Sequence, residues 1–118
     1  MYTGGMEALK VVTAPSQATV QSAKGLADSI TAAFTEAEQV LLNLSRLERV
    51  DASFVHVLYA AKRMADRDGR EFHLSGTVHK DVCAALMTGG FCSSMATDAR
   101  ELERDLVDFD AAEEDRHE

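Results

Sequence analysis

Asp51, Ser53 and His56 stand in the short run Val50-Asp51-Ala52-Ser53-Phe54-Val55-His56, between an apolar stretch and an amphipathic one. An acid, a hydroxyl and an imidazole this close together allow several roles: a nucleophile with its base, an anion site, a switch, or a helix cap. The nucleophile reading lacks its frame. Ser53 is not set in Gly-x-Ser-x-Gly, and His56, three residues on, has nothing to fix its tautomer. As a cap, Ser53 would accept a hydrogen bond from a first-turn N–H, and Asp51 would favour the positive helix end.

The remaining reactive side chains point to less. His79 and Cys83 are four apart and would share a helix face, with Cys92 following, but this spacing matches no zinc pattern. Cys83 reads as a small core residue and His79 as a solvated one, so no metal is expected. The glycine doublets Gly4-Gly5 and Gly89-Gly90 do not open a helix after a strand, as a phosphate loop must. No cofactor is implied, and the chain is not expected to be an enzyme.

The elements that must position these residues follow from hydrophobic period. Residues 8–13 and 18–21 read as short strands around Ala-Pro-Ser-Gln, which predicts a hairpin. Leu26, Ile30, Ala33, Phe34 and Ala37 recur at helical spacing, with Ser22 available as the cap. Residues 39–44 form the next strand. Phe54, Val57, Leu58, Ala61, Met64 and Ala65 make one apolar stripe of a second helix, leaving Lys62, Arg63, Asp66 and Arg67 on the wet side, and Gly69 ends it. A strand over 70–75 follows. Thr77 is the expected cap of a third helix carrying Val78, Val82, Leu86 and Met87 and ending at Gly89. Residues 91–95 read as a last edge strand. Thr97 opens a fourth helix with Ala99, Leu102, Leu106 and Phe109 at core spacing. Strands alternating with helices predict an α/β fold with a mixed, mainly parallel sheet of four to five strands and about four helices.

Composition narrows the function classes. The chain has 118 residues, 46% hydrophobic and 27% charged, which is enough for one domain with one modest core. Of the net charge of −8, residues 98–118 supply −7, with ten acids against three Arg. That balance argues against nucleic-acid partners, which need a basic footprint, and against an anionic membrane surface. No apolar run approaches the roughly 20 residues that span a bilayer, and the N-terminus has neither a basic start nor an apolar signal core. Cytoplasm is the expected compartment. The domain is expected over residues 1–110, with 111–118 an acidic tail too polar to bury.

The stretch from Val40 to Gly76 resembles the STAS domain, the fold of bacterial anti-sigma factor antagonists. The family pattern is an apolar strand, Asp-Leu-Ser, a short spacer, apolar-Asp-Ser-Ser-Gly, a helix, then Gly before another strand. Here Asn43-Leu44-Ser45 ends the strand, Val50–Phe54 holds the place of Asp-Ser-Ser-Gly, and Asp68-Gly69 precedes the next strand. Residues 79–91 are similar to the family's third helix and its Thr-Gly-Phe ending. The likeness spans roughly Ala8 to Asp110, and implies a single STAS-like domain.

The resemblance implies a regulatory protein–protein interaction module. In antagonists of the partner-switching type, the second Ser of the motif is phosphorylated by a serine kinase that is also the anti-sigma factor. That Ser matches Ser53. Asp51, Ala52, Ser53, Phe54, His56 and Val57 would form the partner surface. The implied partner is an anti-sigma factor or serine kinase-like protein. Other STAS proteins are never phosphorylated: some bind the ATPase of an ABC lipid-transport system, some belong to chemotaxis clusters, and some sense small ligands. Ala52 replaces the first Ser, Phe54 replaces Gly, and Asn43 replaces Asp. A Phe54 ring turned outward would crowd Ser53, whereas one turned inward would serve the core.

Overall fold

The structure, a computed structural model, describes residues 7–107 and residue 109. The expected tail, residues 111–118, lies outside the described residues, as do residues 1–6, 108 and 110 of the expected domain. The elements are β1 (Glu7–Thr13), β2 (Gln17–Ala18), α1 (Ala23–Phe34), β3 (Ala37–Asn43), β4 (Arg49–Val50), α2 (Ala52–Asp68), β5 (Glu71–Ser75), α3 (Lys80–Thr88) and α4 (Ala99–Asp105).

The five strands form a three-stranded parallel sheet, β1-β3-β5, and a separate two-residue parallel pair, β2-β4. Alternation along the strands sorts the two sheet faces. Val40 and Phe72 are register partners, as are Leu42 and Leu74, and all four are buried beneath α1 and α2. Leu41 and His73, the intervening pair, lie on the other face and are only half-buried. Leu26, Ile30, Ala33 and Phe34 from α1, with Phe54, Leu58, Ala61 and Ala65 from α2, complete the core on the covered side.

Gly69 ends α2 in the left-handed region at φ 70°, as its position after the apolar stripe predicts. Arg70 then reaches back, donating to the carbonyls of Phe34 and Ala37 and fastening the end of α1 to the start of β5.

Several local expectations are corrected. The hairpin does not form. The amide of Ala14 still bonds to Asn43 (2.9 Å), so β1 stays on β3, while the Ser16 carbonyl accepts from Glu48 and Arg49 (2.8 and 3.1 Å). The Ala-Pro-Ser-Gln corner therefore carries the chain off the sheet to pair with β4. Ser22 precedes α1, but its hydroxyl serves Gln17 and the amide of Thr19, not a first-turn N–H. His79, not Thr77, caps α3: its Nδ1 accepts from the amide of Asp81 at 3.1 Å. Thr77 instead bridges antiparallel to Asp98. Asp98, not Thr97, caps α4.

Residues 91–95 are not a strand. The carboxylate of Asp105 takes the amides of Ser93 and Ser94 at 2.9 and 3.0 Å and both their hydroxyls, leaving those amides none to share with a sheet. Lys62 and Asp66 do not face water either. They form an ion pair at 3.5 Å with side chains only 10% and 6% exposed, because the Phe109 ring lies over the Lys62 ammonium. Tyr59 meets the same ring edge-on and donates its hydroxyl to the Val107 carbonyl, so the segment after α4 is strapped across α2.

Candidate functional site

The segment singled out by its chemistry lies where the parallel strands end. Leu44 and Leu47, both buried, anchor the connection from β3 to α2. Asn43 accepts from the amide of Ser45 at 2.8 Å, and the Ser45 hydroxyl accepts from the amide of Thr77 at 3.1 Å. Gly76 completes this knot at φ 87°, where a Cβ would collide with Ser45 Oγ and Asn43 Oδ1. The Asn-Leu-Ser motif thus ties the ends of β3 and β5 together. Its side chains work locally, a role the spacing alone did not reveal.

Asp51, not Ser53, is the N-cap of α2. One carboxylate oxygen accepts from the amide of Ser53 at 2.8 Å, and the other accepts from the amide of Val20 at 3.0 Å. The same side chain therefore starts the helix and holds the loop before α1 against it. Desolvation pushes this carboxyl upward, but the amides of Val20 and Ser53, with the Ser53 hydroxyl, outweigh it and hold the group below the usual aspartate value. Asp51 is ionised at neutral pH, and an ionised acid at a helix N-terminus is where the helix dipole favours it.

Ser53 is the second residue of α2 and is half-buried. Ala52 and His56 are exposed. Phe54 is fully buried and Val57 nearly so, at 8%. The first turn of α2 therefore shows water a face made of Asp51, Ala52, Ser53 and His56, while Phe54 and Val57 support it from below. The ring that stands where the STAS motif has Gly is turned inward and adds no bulk to the exposed side of the first turn. Arg46, Glu48 and Arg49, exposed in the loop before β4 and in β4 itself, belong to the same segment and were not singled out by sequence.

The other reactive residues are kept apart from this face. Cys83 and Cys92 are free thiols buried around the Ser94 carbonyl, and the Cys83 sulfur also accepts from the amide of Ala96 at 3.1 Å. Burial, with Cys83 and Asp105 nearby, pushes the Cys92 thiol up to about 11. Such a thiol is no nucleophile at neutral pH. Among the described residues no group of three or more His, Cys, Asp or Glu is placed to hold a metal ion. No helix among them is long and apolar enough to cross a membrane.

A domain of alternating strands and helices on a parallel sheet, with a capped helix start presented at the strand ends, is the architecture expected from the motif. Residues 7–89 match the family model described as "Mlab, STAS domain". The chain belongs to that family and is a STAS-domain protein. Among solved structures it is similar to "Structure of the Anti-Sigma Factor Antagonist SpoIIAA in its Unphosphorylated Form", with a TM-score of 0.58 over 72% of this chain and 75% of that one. At 16% sequence identity, that likeness is one of fold. No curated protein matches the chain.

Proposed function

We propose that this chain is a regulatory protein-interaction module of the anti-sigma factor antagonist type, with the start of α2 as its partner surface and Ser53 as its phosphorylated switch. The observation that carries the reading is the inward position of Phe54. It leaves a polar, accessible first turn where the family places its phosphorylated serine. The chemistry belongs to the partner, a serine kinase-like anti-sigma factor; this chain is substrate and binder.

The surroundings of Ser53 define what a phosphate would do. It would add about −1.5 to −2 charges at neutral pH beside the Asp51 carboxylate. The helix start favours negative charge, so the helix survives. The two anions, however, compete for the same first-turn N–H groups. Phosphorylation therefore weakens the hold of Asp51 on the amide of Ser53 and changes both the charge and the shape of the partner surface.

A second reading is supported by the engagement of the Ser53 hydroxyl with Asp51. On it, the same face binds permanently and without phosphorylation, as an accessory subunit docked on the ATPase of an ABC lipid-transport system or within a chemotaxis complex. Co-expression with serine kinases of the native organism, followed by phosphate-affinity electrophoresis and site mapping, separates the two. The switch reading expects one phosphate on Ser53 that disappears in Ser53→Ala. A protein that stays unmodified while co-purifying with an ATPase would overturn it.

A further inference from the structure

The sheet face opposite α1 and α2 carries a second feature. α4 covers only the β5 side of it, held there by Glu103: one carboxylate oxygen accepts from the amide of Leu74 at 2.8 Å, and the other meets Nδ1 of His73 at 2.8 Å. Between α4 and the middle strand lies a groove of about 460 Å³, bounded by Gln39, Leu41, His73, Arg100, Glu103 and Arg104. That volume is in the range of small-molecule sites, about 300–1,000 Å³. The matched family region ends at residue 89, before α4 begins.

Its chemistry is polarised. Arg100 and Arg104 are one helical turn apart and share a face; both line the groove, and neither is ion-paired within the described structure. Glu103 is committed to His73 and the β5 edge. His73 sits between Glu103 and Glu71, at 2.8 and 3.2 Å, and with its imidazole protonated there the three cations exceed the two carboxylates by a single charge. Away from α4 the floor turns apolar. Leu41 is the register partner of Val11, and Leu9 lies beside Gln39 on the same face. Leu9 and Val11 are 44% and 50% exposed, an apolar continuation of the groove with no covering element among the described residues.

We propose that this groove binds a hydrophobic monocarboxylate, its head held by Arg100 and Arg104 and its apolar body laid along Leu41, Val11 and Leu9. A guanidinium pair one turn apart presents the forked donors that carboxylates accept. One negative charge balances the lining, whereas a cation would face two guanidiniums. This site is distinct from the start of α2 and does not rest on the reading of Ser53.

The test uses the full chain labelled with 15N and titrated with decanoate, acetate, decyl phosphate and decyltrimethylammonium. Decanoate is expected to move the amides of Leu41, Leu74, Ser75 and residues 100–104 saturably, with acetate and the cation giving no saturable change. The double substitution Arg100→Gln, Arg104→Gln should weaken decanoate about tenfold or more, since hydrogen bonds to charged groups each contribute about 1.5–3 kcal/mol. Arg63→Gln, on the exposed side of α2, should leave it unchanged. Equal binding to the double variant, equal binding of the cation, tighter binding of decyl phosphate than of decanoate, or no saturable shift would each overturn the proposal.

Discussion

Truncating Phe54 to Ala removes a ring that is 0% exposed and sits directly after Ser53 in the first turn of α2. Phe→Ala in a packed core costs about 3–5 kcal/mol. A domain of this size holds roughly 0.05–0.15 kcal/mol per residue, so the variant loses a large share of its stability. With a urea dependence of about 2 kcal/mol per molar, the midpoint should fall by about 1.5–2.5 M with the slope unchanged. Phe54→Leu, which keeps most of the volume, should cost under about 1.5 kcal/mol. Phe54→Gly, the residue of the STAS motif, should be worse than Ala by about 1 kcal/mol, from the helix penalty of glycine. Equilibrium unfolding followed by circular dichroism measures all three. A loss below about 1 kcal/mol for Phe54→Ala, within the range of ordinary surface changes, would place the ring outside the core. The proposal that the inward ring leaves Ser53 within reach of a partner would then fail with it.

Lys62→Ala should destabilise by about 3 kcal/mol, because it takes the cation out of an ion pair whose side chains are only 10% and 6% exposed; thermal unfolding measures this, and a neutral result would mean that the pair is hydrated. Asp105 is held below the usual aspartate value by the amide and hydroxyl of Ser93 and the amide of Ser94. Its contribution is therefore present above its unfolded pKa and lost as pH falls through the folded one, so the stability difference between wild type and Asp105→Asn should shrink as pH falls below about 4. His73 has the opposite sign. Desolvation lowers its imidazole, but Glu103 and Glu71 outweigh that and raise it. Its stabilisation should be complete below the unfolded value near 6.5 and fade as pH rises through the folded one; NMR titration of the ring should show a midpoint above 6.5, and one below it would contradict the pairing with Glu103.

The strongly periodic parts of the fold were legible in the sequence. α2 shows its apolar stripe and its Gly69 stop without ambiguity, and β3 and β5 stand out between helices. What sequence could not show was set by contacts between distant residues. Two residues of β2 carry no period, and their pairing with β4 depends on Ser16 meeting Glu48 and Arg49. Residues 91–95 alternate weakly enough to pass for a strand until Asp105, more than ten positions on, claims their amides. Lys62 and Asp66 look like a solvated pair until Phe109 covers them. At the candidate site, the change of hydrophobic period marks the start of α2, but residue type alone does not say which side chain caps it. Asp51 and Ser53 are both good caps by residue type. The choice fell to Asp51 because its second oxygen also satisfies the amide of Val20, a contact across thirty-one positions of sequence. The orientation of Phe54 was likewise open to either side until the core was seen to need its volume.

The central claim is that charge on Ser53 controls what the start of α2 binds. The direct measurement compares wild type, Ser53→Ala and protein carrying phosphoserine at position 53, each immobilised and exposed to extracts of the native organism, with captured proteins quantified by mass spectrometry and the principal partner then titrated in purified form. Unmodified protein and Ser53→Ala should capture the same serine kinase-like partner, and the phosphoprotein should bind it about 30-fold or more weakly, the effect of about 2 kcal/mol of repulsion and desolvation at an interface. Circular dichroism should show all three equally folded. Equal affinity of the three forms for one partner would contradict the account and leave Ser53 as a residue of the helix start with no switching role.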